Sequence, residues 1–418
     1  MLRFFVLLYV AALYVRPGEI IPAAAGLPLI DYLSMACALV ALGSLLLDLR
    51  SFWNQPHDRY FLLFFLVIVV SNPAWGYMQG GYDAFFAFLP VVFCYFLIRL
   101  GIRTQRDVAT LVVLLVLLNV FLALNGIIQA KTGYGFGGVE VYEGAGGVRI
   151  RGTGIFNDPN DLGMTLVTAV PILLSAVIAK GSGFLRRFAA TAGLAIVLTA
   201  CFYTNSRGTV LGLGAVMAVF SYRRLGIVPA TLLAVVGVAG LLAFGPSRTA
   251  EISSDEASAQ GRIQAWIAGF DMLKSSPLFG VGYGRFMEYH ERVAHNSFVH
   301  VLGDLGLAGG FALVGMFYWY FQGLRGPGAP GLADAEQQRL SHWTRDLTTA
   351  GVGMLTCMFF LSRQYTVVVY VMLAVAACQA TLVNRPPTGG IANAMKIAAI
   401  LAGLVIFVFL VSRTLVQF

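Results

Sequence analysis

Charge is what this 418-residue chain has least of: Asp, Glu, Lys and Arg together make up 11% of it, against roughly a quarter in ordinary soluble domains. Hydrophobic residues make up 58%, and no water-soluble fold could hide that much apolar surface. Lipid supplies the missing solvent, and in lipid only helices and closed barrels satisfy their backbone hydrogen bonds internally. The apolar runs lack the alternation of a membrane barrel strand, which selects helices. Cysteine is also sparse. Cys37, Cys94, Cys201, Cys357 and Cys378 all lie inside apolar runs, far from disulfide or metal spacing, and read as small core residues. No basic patch is interleaved with exposed aromatics, which excludes a nucleic-acid-binding class.

What is present is a series of spans, each of roughly 20 residues. They fall near residues 2–15, 29–47, 60–76, 84–100, 108–130, 162–179, 188–204, 208–222, 227–245, 297–321, 347–362, 364–383 and 395–412. The expected fold is an all-α polytopic membrane bundle of about 12–13 helices, with one large periplasmic loop that contains short interfacial helices. Three regions follow: N-terminal membrane helices at 1–245, the loop at 246–296 and C-terminal membrane helices at 297–418. The start, Met1-Leu2-Arg3 and then apolar, imitates a signal peptide, but Arg16-Pro17-Gly18-Glu19 replaces the small-residue cleavage site. The segment therefore reads as a retained first helix.

Short loops rich in Lys and Arg stay in the cytoplasm. Arg50 and Arg59, then Arg99, Arg103 and Arg106, then Lys180, Arg186 and Arg187, then Arg223 and Arg224, then Arg325, Arg339 and Arg345, then Arg385 and Lys396 all follow even-numbered spans. This places the N-terminus inside. The net charge of +8 is thus topological in origin. On the outer side, Arg207 and Arg363 sit in tight turns without an acidic sequence neighbour, where the same rule predicts no positive charge. Such arginines mark function, with interfacial snorkelling as the alternative.

The long outer loop holds an amphipathic stretch, Gly261 to Leu273, with Ile263, Trp266, Ile267, Phe270 and Leu273 on one face. It is expected to lie on the membrane with Arg262 at its N-terminal end, pointing to phosphate depth. A Pro-started, Gly-rich turn follows, Ser275 to Gly284, suited to close backbone approach to a ligand. Its Gly280-Val281-Gly282-Tyr283-Gly284 brushes against a potassium-channel filter, but the leading Thr, the pore helix and the short fourfold subunit are missing. His295 then stands at the start of the next span, where its side chain suits proton transfer near neutral pH. His290 and His300 read as bystanders, His300 falling on a different helical face.

Together these segments resemble the O-antigen ligase and O-antigen polymerase superfamily: Gly261-Arg262 through Trp266, Pro277 to Gly282, His295-Asn296 and Asp304 to Gly309, with Asn205-Ser206-Arg207-Gly208 resembling a second arginine motif. Gly154 to Gly163 resembles members associated with exopolysaccharide and exosortase gene clusters. The motifs cover roughly residues 150–310. The resemblance implies a metal-independent, cofactor-free glycosyltransferase of the bacterial inner membrane. Its donor would be an undecaprenyl-diphosphate-linked oligosaccharide on the periplasmic side, and its acceptor a sugar hydroxyl on lipid A core, another repeat unit or a protein.

On that reading Arg207, Arg262 and Arg363 bind the diphosphate and His295 is the general base of an inverting displacement, with Asn296, Asp304 and Asp158 in support. A carboxylate base, Asp158, Asp161 or Asp304, is the alternative. Asp158 and Asp161 have the placement of helix caps, and Asp304, where relatives carry Glu, is expected to orient a helix or an arginine. No carboxylate pair with metal spacing stands in the outer loops. The exopolysaccharide-like segment favours a polymerase over a ligase. A transporter is the rival from another class, but the span centres carry almost no charge and the halves show no clear repeat.

Overall fold

The computed structural model describes residues 1–47, 55–144, 147–228, 231, 256–325, 334–383 and 390–416. Apart from residues 227, 228 and 231, the span expected at 227–245 and the loop head at 246–255 lie outside the described residues. Long helices dominate: α1 Leu2–Val15, α2 Leu29–Leu47, α3 Pro56–Ser71, α4 Met78–Gly101, α5 Gln105–Thr132, α6 Pro159–Val177, α7 Phe184–Tyr203, α8 Arg207–Leu225, α9 Glu256–Ser275, α10 Ser297–Gly323, α11 Asp334–Phe359, α12 Val367–Val383 and α13 Ile391–Val416. A small exception is the two-stranded sheet of β1 Tyr142–Gly144 and β2 Gly147–Arg149, antiparallel with Tyr142 opposite Arg149.

Among the described residues seven helices are long and apolar enough to cross a membrane: Pro56–Trp75, Met78–Gly101, Gln105–Thr132, Pro159–Val177, Phe184–Tyr203, Ser297–Gly323 and Ile391–Thr414. Leu29–Gly43 and Val367–Val383 are shorter apolar helices. The chain is an all-α, multi-pass membrane protein. All five cysteines are buried and none of them is in a disulfide.

By internal packing the chain divides into two units. The first comprises Met1–Leu47, Leu100–Ile252 and Asp334–Cys357. In it α1 packs on α2 and α5, while α6 packs on α5, α7 and α8. Small residues bring these helices close, as van der Waals packing in lipid favours. A Cβ on Gly163 would strike the Thr209 side chain, and one on Gly212 would meet Cys357 Sγ at 2.5 Å and the Gly353 carbonyl at 3.2 Å. Helix starts are capped as their sequences dictate. Thr104 and Asp107 form a reciprocal capping box on α5, and Asp158 caps α6 by accepting from Asn160 N at 2.8 Å.

The second unit comprises Asp48–Arg99, Ser253–Ala333 and Met358–Phe418. Here α10 is the central helix, packed on α3, α9, α12 and α13. The apolar face of α9, expected to meet lipid, is covered by protein: Trp266, Phe270 and Met272 are buried in a cluster with Val281, Phe286, Ala294, Val299 and Val408 of the loop, α10 and α13. Arg99, assigned to a solvated basic loop by the sequence, turns inward instead. It makes a two-pronged ion pair with Asp58, Nε to Oδ1 and Nη2 to Oδ2 both at 2.9 Å, and Tyr95 also donates to Asp58 Oδ1 at 2.9 Å. A buried charge is tolerable when paired and hydrogen-bonded in this way.

Candidate functional site

In the second unit the segments of Arg262, His295, Asn296, Asp304 and Arg363 gather around α10. His295 adopts a left-handed backbone with φ of 47°, turning the chain just ahead of the Asn296 cap, whose Oδ1 accepts from Phe298 N at 2.9 Å and Val299 N at 3.1 Å. Asn296 and Ser297 are fully buried, while His295 stays half-exposed. The next residue fixes the third arginine. Ser297 Oγ donates to Leu361 O at 2.6 Å and accepts from Arg363 N at 2.9 Å, so the turn bearing Arg363 is held against the residue pair that follows His295. On the other side, Trp266 Nε1 donates to Ala294 O at 2.8 Å. Arg262 lies one helical turn before Trp266 on α9, which sets its segment beside the His295 turn. The structure therefore brings the segments of Arg262, His295 and Arg363 together.

Asp304 sits one layer deeper and is a pure acceptor hub. Its Oδ1 takes Phe286 N at 2.9 Å, and its Oδ2 takes Gly284 N at 3.1 Å and Tyr365 Oη at 3.0 Å, with His300 Nε2 at 3.4 Å. Its side chain is fully buried, so the full complement of donors is what keeps the carboxylate tolerable there. Burial and the nearby Asp304 push the Tyr283 phenol up to about 12, and Tyr365 is pushed well above its usual range by the same two causes. Tyr365 therefore remains a proton donor to Asp304. His300, read from sequence as a bystander, belongs to this network and stacks on Phe286 with centroids 4.6 Å apart. The i, i+4 spacing of His300 and Asp304 was the available signal.

The Gly-rich turn serves α10 rather than a ligand. Val281 N donates to Gly303 O and Gly282 N to Asp304 O, both at 2.9 Å, while Leu307 N and Ala308 N donate back to Pro277 O at 2.8 Å and Leu278 O at 3.1 Å. These last bonds form because α10 breaks at Gly306 (φ 63°, ψ −159°), which frees its backbone groups. Gly280, with φ of 65°, lies so near α10 that an added Cβ would strike the Gly303 and Asp304 backbone. Trp75 Nε1 donates to Gly280 O at 2.6 Å and Asn72 Nδ2 to Tyr283 O at 3.3 Å. Carbonyls engaged in this way do not line an ion pathway.

In the first unit, Arg207 opens α8 directly after its cap Ser206 and the left-handed Asn205 (φ 47°). A residue missed from sequence adjoins it. The buried Arg149 donates from Nε to Thr204 O at 2.8 Å and from Nη2 to Asn160 Oδ1 at 3.0 Å, and Ser206 Oγ donates to the same Asn160 oxygen at 2.8 Å. Asn160 thus ties the Asn157 to Asp161 segment to the Arg207 turn. Arg149 and Arg151 were detectable by the reasoning that singled out Arg207: both are basic residues in a loop assigned to the outside.

Residues 192–314 match the family model described as O-antigen ligase. Over this segment the chain is similar to the O-antigen ligase family. The matched stretch contains Arg207, Arg262, His295, Asn296 and Asp304, while Asp158 and Arg363 lie outside it. No curated protein matches the chain.

Proposed function

We propose that the protein is a polysaccharide polymerase that uses an undecaprenyl-diphosphate-linked oligosaccharide as donor at the periplasmic face of the inner membrane, with the N-terminus in the cytoplasm. The observation that carries the reading is the Ser297 bridge, which holds the Arg363 turn against the His295 segment. In the proposed step His295 accepts the proton of the acceptor hydroxyl. The hydroxyl oxygen bonds to the donor's anomeric carbon from the face opposite the leaving group. The bond from that carbon to the diphosphate oxygen breaks, and its electron pair leaves with the lipid diphosphate, inverting the anomeric centre.

The departing diphosphate carries the charge that must be stabilised. Guanidiniums do this by paired, charge-assisted hydrogen bonds without a metal, and preorganised donors of this kind are worth about 3–4 kcal/mol each in well-studied active sites. Arg262 and Arg363 are assigned that role beside His295, and Arg207 is assigned it from the sequence resemblance alone. Asn296 and Asp304 support the site by fixing the start of α10 and the loop that abuts it. Asp158 supports it through the α6 cap, next to the Asn160 that holds the Arg207 turn.

Polymerase is preferred over ligase because Gly154 to Gly163 resembles exopolysaccharide-associated relatives. Deleting the gene in its host separates the two. A polymerase loss leaves short, unpolymerised repeats, as proposed here, whereas full-length chains stranded on the lipid carrier would assign the protein as a ligase.

A further inference from the structure

Within the first unit a cavity of about 190 Å³ is lined by Ser175 of α6, Phe220, Arg223 and Arg224 of α8, and His342, Arg345, Asp346 and Thr349 of α11. It lies at the end of the helices that carries the basic loops, and none of its residues belongs to the site described above. Its floor is buried and its rim is cationic. Ser175 Oγ donates to Asp346 Oδ1 at 2.6 Å, and His342 Nδ1 stands 3.1 Å from Asp346 Oδ2.

Contacts among the described residues anchor each rim arginine. Arg223 Nη1 donates to Arg345 O at 2.9 Å and Thr349 Oγ1 at 3.4 Å, Arg345 Nε donates to Ser341 O at 3.2 Å, and Arg224 lies 4.8 Å over the Phe220 ring. A guanidinium has five N–H donors, so each of the three can hold these contacts and also reach a ligand oxygen. The space accommodates a phosphoryl group with several waters, at about 30 Å³ of liquid volume per water.

We propose that this cavity binds a phosphate group, gripped by Arg223, Arg224 and Arg345 and carried by an anionic phospholipid headgroup or by free phosphate. Planar guanidiniums match a tetrahedral phosphate through paired hydrogen bonds. Next to it, at the start of α7, Phe184, Leu185 and Phe188 are exposed around Arg186 and Arg187, an apolar strip suited to acyl chains below a headgroup. Among the described lining residues Asp346 is the one carboxyl, and when ionised it offsets one of the three arginine charges. Burial pushes Asp346 up to about 7 against the pull of Ser175, Arg345, Arg224 and Arg223. His342 is held below its usual range by burial and by Arg345, Arg186 and Arg224. As pH falls through 7, Asp346 gains a proton, its negative charge disappears and anion binding strengthens.

The test uses the full chain in nanodiscs at pH 8, with three probes: phosphatidylglycerol, whose diester charge is constant near neutrality, phosphatidylcholine as the zwitterionic reference, and inorganic phosphate. Affinity is read by titration. Specific phosphatidylglycerol binding, weakened at least tenfold in the Arg224→Gln, Arg345→Gln double variant and strengthened severalfold in Asp346→Asn, supports a headgroup site. The same pattern with inorganic phosphate in phosphatidylcholine discs supports a soluble-phosphate site. Binding of neither anion overturns the proposal. So does wild-type affinity in the double variant, or an Asp346→Asn variant weakened as much as the arginine variants.

Discussion

The hydroxyl of Ser297 stands between two segments 64 residues apart in sequence, donating to Leu361 O at 2.6 Å and accepting from Arg363 N at 2.9 Å. A buried hydroxyl with both hydrogen-bonding functions used is a rigid strut. It links the turn that presents Arg363 to the turn that presents His295.

Removing the strut tests its role. Ser297→Ala leaves a buried carbonyl and a backbone N–H without their partner, at a cost of about 1–3 kcal/mol. The variant is expected to fold, melt a few degrees lower and transfer glycan at least tenfold more slowly, with donor affinity reduced. Ser297→Thr keeps the hydroxyl and is expected to recover most of the loss. Thermal unfolding and a transfer assay on the purified protein check both.

Asp304 holds four groups, and its removal tests whether its work is architectural. Asp304→Ala strands Phe286 N, Gly284 N and Tyr365 Oη in a buried site, which costs several kcal/mol at about 1–3 kcal/mol each, and is expected to lower the melting temperature sharply or abolish accumulation in the membrane. Asp304→Asn still accepts through its carbonyl oxygen and is expected to be the milder variant. If Asp304→Asn were fully stable yet inactive, the carboxylate would act in the chemistry instead.

Gly280→Ala and Gly306→Ala both place a Cβ on a backbone with φ near +65°, and at Gly306 that Cβ would lie 2.6 Å from Gly280 N and from the Leu278 carbonyl. Each is expected to destabilise the loop against α10 by about 1–3 kcal/mol or more. Loss of proteolytic protection at 276–284, with the rest of the chain intact, is the expected readout.

Membrane helices and their caps were legible in sequence because hydropathy and capping are local. The α6 cap at Asp158 sits where short-range rules place it, whereas the α10 cap at Asn296 was not read from the sequence. What could not be read was pairing between distant segments. The Gly-rich turn suggested a ligand cradle, yet its glycines make room for the backbone of α10 at the Gly306 break, a contact that exists only in three dimensions. The amphipathic α9 suggested lipid, yet its apolar stripe faces α10 and α13, because a stripe specifies an apolar partner without naming it. Arg149 and Arg99 show the same limit for charge: loop position was readable, but the inward turn toward Asn160 or Asp58 was not.

Donor activation by arginines alone predicts metal independence. Transfer by the purified protein is expected to survive EDTA unchanged. Activity lost with the chelator and regained with magnesium would assign the leaving-group charge to a metal ion and remove that role from Arg207, Arg262 and Arg363.

The most direct test of the central claim is a single-turnover assay of the purified His295→Gln variant with a lipid-diphosphate oligosaccharide donor and its acceptor. General-base catalysis contributes about 10²- to 10⁴-fold. The account predicts donor binding within a few-fold of wild type and release of lipid diphosphate slowed by at least a hundredfold. Release at the wild-type rate would contradict it and remove His295 from the reaction.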